Sequence, residues 1–181
     1  MRWVTRESVH LDRVASPWLI RRFIDPAAAF VFIDPAQPRP EDAIPFALPG
    51  AEIGMHDADG STFDKLVARY RIDDPAIADV AGVVRAGIRH LFGEDQGDAS
   101  PETIGLGVTL LALSEGVMVL EPDDRANIAA SSVIYDAFYA YFWGRRTDSR
   151  TGPATFWQRI GDLRSSWDRD KLVDHSVDDL T

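Results

Sequence analysis

The sequence predicts an α+β fold, predominantly helical, with a small N-terminal β element packed on a bundle of about four to six helices. Three observations predict it. β-Branched and aromatic runs of strand length cluster near the start, in "RWV" and "AAFVFI". From residue 61 on, Ser, Thr or Asp followed by helix-forming or Pro residues opens each of several long apolar-periodic segments. The alternating strand–helix pattern of a doubly wound sheet is missing. With 181 residues, 45% hydrophobic and 27% charged, the chain has the composition of a globular domain with its own core.

Taken in order, residues 2–14 read as extended. Ser16-Pro17 reads as a helix start, Ser capping the free N–H groups and Pro occupying the first turn. The helix "PWLIRRFI" sets Trp18, Leu19 and Phe23 on one side, with Arg21 and Arg22 on the other. Residues 28–33 form a buried strand stopped by Asp34-Pro35. Residues 35–61, rich in Pro, Gly and acids, are a long irregular region of the kind that often carries function. "STFDKLVARYRI" is a helix capped by Ser61 or Thr62, with Asp64 in its first turn. Asp73-Asp74-Pro75 opens a second, and Ser100-Pro101-Glu102 a third running to about Leu120. Glu121-Pro122-Asp123-Asp124 then breaks the pattern and opens a fourth. The domain is expected to span residues 1–144, and 145–181 reads as a polar linker, a short amphipathic helix and an acidic tail.

Charge and composition narrow the function. A formal net charge of -10 repels phosphate backbones, so nucleic acid is not an expected partner of this chain alone. The absence of cysteine removes disulfides, thiol nucleophiles and Cys-based zinc sites. Any metal would then rest on His and carboxylates, which suits Zn, Fe, Mn or Ni. The N-terminus has no apolar leader, and no apolar run is read as long enough to span a bilayer. A soluble cytoplasmic protein with no membrane partner is the expectation, with homo-oligomer formation left open. No nucleotide-binding or nucleophile-elbow motif occurs, and no nucleotide cofactor is indicated.

Of the four His, His10 lies on the proposed first strand and His56 in the irregular region, four residues after Glu52. If Glu52–His56 formed one helical turn, a carboxylate and an imidazole would face the same way, with His10 as a third ligand. Spacing alone favours the plainer reading, a half-buried strand His and two solvated side chains. His90, near a helix C-terminus, has a structural reading, and His175 falls in the acidic tail. "HDADGSTFD" lacks the later ligands of a calcium loop and the buried strand that precedes a phosphatase nucleophile loop; it reads as a turn entering a capped helix. Arg2, Arg6, Arg13, Arg21 and Arg22 make the first part of an acidic chain locally basic. Such a cluster either binds an oxyanion or pairs with nearby acids. Tyr135, Phe138, Tyr139 and Phe142 stand at helical spacing and read as core.

These segments carry a resemblance. "HLDRVASPWLIRRFIDPAAAFVFI", "IPFALPGAEIGMH", "STFDKLVARYRIDDPAIADVAGVVRA" and "VIYDAFYAYF" occur in the order and pattern of the chromate-resistance (ChrB-type) family, over roughly residues 5–143. Ser61 stands where family members often have Cys, so a thiol role cannot apply here. The matched segment begins almost at Met1, as expected of a stand-alone version lacking the N-terminal regulatory region. The resemblance implies an association with chromate or oxyanion stress. It picks out His10, Asp12, Arg13, Glu52 and His56 as matched polar positions. On that basis His10, Glu52 and His56 are expected to hold a divalent metal, and Arg13 and Arg22 an oxyanion beside it. Asp12 and Asp136 are expected to orient the imidazoles from behind. The first functional reading is a metal- and/or oxyanion-binding domain with a sensing or regulatory role. The alternatives are a metal-dependent hydrolase or oxidoreductase, and an interaction domain without a small-molecule site.

Overall fold

The computed structural model describes residues 1–34 and 36–147, and beyond them only residues 158, 160, 161, 164 and 165. The element order is β1 (Arg2–Arg6), α1 (Asp12–Leu19), β2 (Ala29–Ile33), β3 (Ile44–Pro45), α2 (Thr62–Tyr70), α3 (Pro75–Phe92), α4 (Pro101–Leu120) and α5 (Asp124–Thr147). Among the described residues this is the expected architecture, a small N-terminal sheet on a helical body. Residues 158, 160, 161, 164 and 165 of the expected short helix are helical; the acidic tail, His175 included, lies outside the described residues. α5 passes the expected boundary at residue 144 and runs to Thr147.

β1 is the middle strand and runs parallel to both neighbours, with Trp3 opposite Phe30 on one side and Ile44 on the other. Its inner residues Trp3, Val4 and Thr5 are fully buried, as befits a strand covered on both faces. The connection from β1 through α1 to β2 is therefore a βαβ unit. One face of the sheet meets the main core; the other closes over Val4, Ile33, Ala43 and Leu48.

Local signals set four of the helix starts, α5 among them, where Asp123 accepts from Arg125 and Ala126 N–H. Ser61 accepts from Asp64 N–H while the Asp64 carboxylate accepts from Ser61 N–H, a capping box. Asp74 caps α3 ahead of Pro75, and Ser100 caps α4 ahead of Pro101. α1 departs from expectation. It begins at Asp12, so Pro17 lies inside it and Ser16 is no cap; the Ser16 Oγ is buried with no hydrogen-bond partner among the described residues. After Leu19 the helix widens into a π-helical turn, Ile20–Ile24, closed by Asp25 N–H donating to Ile20 O at 2.7 Å.

Trp18 centres the aromatic core, stacked on Phe63 (6.3 Å, 12°) and edged by Phe23, Tyr135 and Tyr139. α4 is mainly apolar, with Glu102 and Glu115 as its charged residues, and by length and composition it is long enough to cross a membrane, contrary to the reading of its sequence. Its inner side nevertheless packs closely on α3 at a glycine crossing. A Cβ on Gly107 would lie 2.6 Å from Gly87 N and 2.7 Å from Ala86 Cβ. Gly107→Ala should therefore destabilise the fold by about 1–3 kcal/mol in urea melts. Gly82→Ala meets only Thr103 Cγ2, at 3.6 Å, and should stabilise by up to about 1 kcal/mol.

Candidate functional site

The turn between β1 and α1 presents "HLDR", and its backbone is unusual. Ser8 and Leu11, neither a glycine, have φ of 59° and 48°. Such conformations persist only where neighbours hold them. Asp124 accepts from Ser8 N–H (3.0 Å) and Val9 N–H (2.7 Å), and Asn127 Nδ2 donates to Val9 O (2.9 Å). Ser114 Oγ accepts from Leu11 N–H at 2.6 Å, and Tyr135 Oη donates to Leu11 O at 3.1 Å. On the other side Arg13 Nη1 donates to Arg6 O and Glu7 O. The clamping side chains of α4 and α5 all lie far along the chain from the turn, the nearest of them separated by 103 residues.

The turn opens onto a cavity of about 210 Å³. Arg6 comes from the end of β1, and His10, Asp12 and Arg13 from the turn and the first residues of α1. Met55 and His56 come from the irregular segment, and Ile88, Leu91 and Phe92 from the last turns of α3. Leu91 and Phe92 leave apolar surface exposed at the rim. His56 stacks on Phe92 with rings 6.3 Å apart and 4° from parallel. Its Nε2 lies 2.9 Å from Glu94 Oε2, while its Nδ1 is buried with no partner among the described residues.

The cavity's electrostatics are cationic. Among the described residues neither Arg6 nor Arg13 forms an ion pair, whereas Arg2 pairs with Asp42 and Arg22 with Asp136. Burial, and then Arg6, lowers the pKa of Arg13 to about 10, so it remains charged at neutral pH. His10 is pushed below the usual imidazole value, first by burial and next by Arg13; Glu115 on α4 opposes the shift and Arg6 adds to it. Burial raises the Asp12 pKa, against the two backbone N–H groups it accepts.

The expected site residues divide. His10, Asp12, Arg13 and His56 share the cavity. Glu52 does not line it. Residues 52–56 are not a helical turn, because Ile53 bridges back to Phe46 and Asp57 pairs with Gly60, and Glu52 turns outward to Arg69 at 3.3 Å. Among the described residues no group of three His, Cys, Asp or Glu side chains comes together to hold a metal ion. The three-ligand set does not assemble in this arrangement. Arg22 does not line the cavity either: Nε and Nη2 grip the two oxygens of Asp136 at 3.0 and 2.6 Å. Asp136 also accepts from Trp18 Nε1 at 2.7 Å, so it holds a tryptophan and an arginine in the core in place of the expected imidazoles. Asp12 caps α2 from a distance, accepting from Thr62 N–H (2.9 Å) and Phe63 N–H (3.1 Å). Arg6 is the site residue that sequence reasoning leaves in the general Arg cluster, and the hydrophobic wall from α3 gives no sequence signal beyond ordinary core periodicity.

A small βαβ-plus-helices domain with a cationic, half-apolar cavity at the strand ends is the class these features define. The chain matches the family described as ChrB, C-terminal domain, over residues 3–142. It is 31% identical over 140 residues to Protein ChrB of Cupriavidus metallidurans, a stretch covering 77% of this chain. This chain therefore belongs to the ChrB C-terminal domain family, and it spans 40% of the length of that relative. No solved structure matches it.

Two substitutions test the framework of the site. Ser114→Ala strands the Leu11 N–H without an acceptor and should cost about 1–3 kcal/mol in chemical denaturation. Asp136→Asn leaves the nearly buried Arg22 without its carboxylate, and a loss of about 3 kcal/mol is expected.

Proposed function

We propose that this chain is an oxyanion-binding domain associated with chromate resistance, in which anion occupancy serves sensing or regulation. The observation that carries the reading is that Arg6 and Arg13, neither in an ion pair among the described residues, line the cavity beside His10, with Asp12, Thr62 and the Glu94-paired His56 as its other polar walls and apolar side chains making up the rest. Guanidinium groups suit tetrahedral oxyanions because their fixed fork matches two oxygens at once. A volume of about 210 Å³ is below that of sites for drug-sized ligands and suits a small anion with some water. α1 also begins at the cavity, so the positive end of its backbone dipole adds to the field. The asymmetry of the walls supports a ligand that is anionic on one side and tolerates apolar contact on the other.

Isothermal titration with chromate, sulfate and phosphate tests this. Arg6→Gln, at an exposed strand end, should weaken binding about tenfold or more while leaving stability unchanged, since a charged hydrogen bond is lost. The absence of binding by any of these anions to the folded chain would sink the reading.

Binding should also depend on pH in a stated direction. Burial, and next Arg13, hold His10 below its usual pKa and so disfavour the imidazolium. An anion beside it would favour the imidazolium. Affinity should therefore rise as pH falls from 8 towards 5.5, with Arg6, Arg13, Asp12, His56 and Glu115 as the other charged or titratable neighbours. His10→Gln should flatten that slope in the same titrations.

A further inference from the structure

α4 presents a second surface, opposite the side that clamps the turn. Ser114 faces inward and is buried, while Gly105, Thr109, Ala112, Leu113, Gly116, Val119 and Leu120 fall on one exposed stripe. At i, i+4, i+7, i+8, i+11, i+14 and i+15 these positions lie on one helical face. The stripe's own positions from Gly105 to Leu120 carry no charge, and the exposed Glu115 lies at its edge. Val119 and Leu120 are 79% and 78% exposed, far more than a packed helix leaves open. A Cβ on Gly105 or Gly116 would meet nothing within 4 Å. α5 repeats the pattern with Ala130, Val133, Ala137 and Tyr141, all exposed. The stripes adjoin, because Tyr141 Oη donates to Glu102 at the head of α4 and Arg145 pairs with the same carboxylate.

We infer that this α4–α5 face is the interface of a symmetric homodimer of the chain. The area is right for one. Two helices about 30 Å long, lying about 10 Å apart, offer a footprint of roughly 600 Å² per partner. A twofold pairing would then bury roughly 1,200 Å², within the range of specific interfaces. The composition also suits a copy of itself. A twofold interface must be self-complementary, and a stripe whose centre is uncharged, with Glu102 paired to Arg145 and Glu115 at the edge, limits like-charge repulsion across the axis even though each chain carries -10. Gly105, Ala112 and Gly116 allow close backbone approach between helices, with Leu113, Val119, Leu120 and Val133 as the apolar fill. Arg145 at the edge of the face is already paired with Glu102, so the face offers little free charge for anionic lipid or for selecting a charged partner. This inference does not rest on the anion-binding reading.

The test is the mass of the full chain in solution. Sedimentation velocity should show a dimer that dissociates on dilution. Leu113→Glu and Val133→Glu should each give a monomer with unchanged circular dichroism, while Phe92→Glu, at the cavity rim, should leave the dimer intact. Should either Glu variant fail to fold, thiol labelling decides the matter, because the chain has no native cysteine. The thiol of the Ala112→Cys variant should lose maleimide reactivity as protein concentration rises, and that of Arg69→Cys should not. A wild-type monomer up to roughly 100 μM, or concentration-independent labelling of the Ala112→Cys variant, overturns the inference. So does a monomer that floats with phospholipid vesicles and stops doing so when Leu113 is charged.

Discussion

The structure depends on how a short turn, Glu7 to Leu11, is held in a conformation it would not adopt alone. Two of its residues have positive φ without being glycine. Backbone groups in such a turn cannot pair with one another in the manner of a helix or strand. Asp124, Asn127 and Tyr135 from α5, with Ser114 from α4, satisfy them instead. Each satisfied buried group avoids a desolvation cost of about 1–3 kcal/mol. The turn in turn places His10 and starts α1, so the site and the helix that crosses the sheet rest on the same contacts.

α5 is the element that makes those contacts mutually consistent. Along one side it meets the turn through Asp124, Asn127 and Tyr135, then α1 through Asp136, then the start of α3 where Tyr139 donates to Asp74. Burial together with that bond keeps the Tyr139 hydroxyl far from ionising, so it serves as a donor. Asp74 is shared: one oxygen caps α3 and the other receives Tyr139. Asp12 is shared in a similar way, being the first residue of α1 and the acceptor for the first turn of α2. Several helix ends in this fold are thus tied to other elements as well as to their own sequence.

That sharing explains what can be read in advance. The starts of α2, α3 and α4 are legible because Ser61/Asp64, Asp74-Pro75 and Ser100-Pro101 act within a few residues of themselves. The start of α1 is not, because its supports are Ser114, Asp124, Asn127 and Tyr135. Ser16-Pro17 imitates a local start and misplaces it. The site divides along the same line. His10, Arg13 and His56 stand out through an ordered resemblance across the chain, and they do share a cavity. Glu52 joins them only if residues 52–56 make a helical turn, and they do not, since Ile53 is committed to bridging Phe46. Arg22 and Asp136 look like separate site residues because nothing in a linear sequence shows that positions 114 residues apart form one bidentate pair.

The sheet itself carries a consequence for how such a domain can change. All three strands point the same way, and β2 and β3 flank β1 on opposite sides. The chain thus diverges at the carboxyl edge of β1, which is where open parallel sheets form clefts. The cavity there is assembled from separate stretches: a strand end, a turn, a loop and a helix terminus. Few of its wall residues belong at the same time to the middle of the hydrophobic core, Leu11 and Ile88 foremost among them. The lining of the cavity is therefore modular: Arg6, Met55, His56, Leu91 and Phe92 can each be exchanged by drift or design while the scaffold that folds the chain stays as it is.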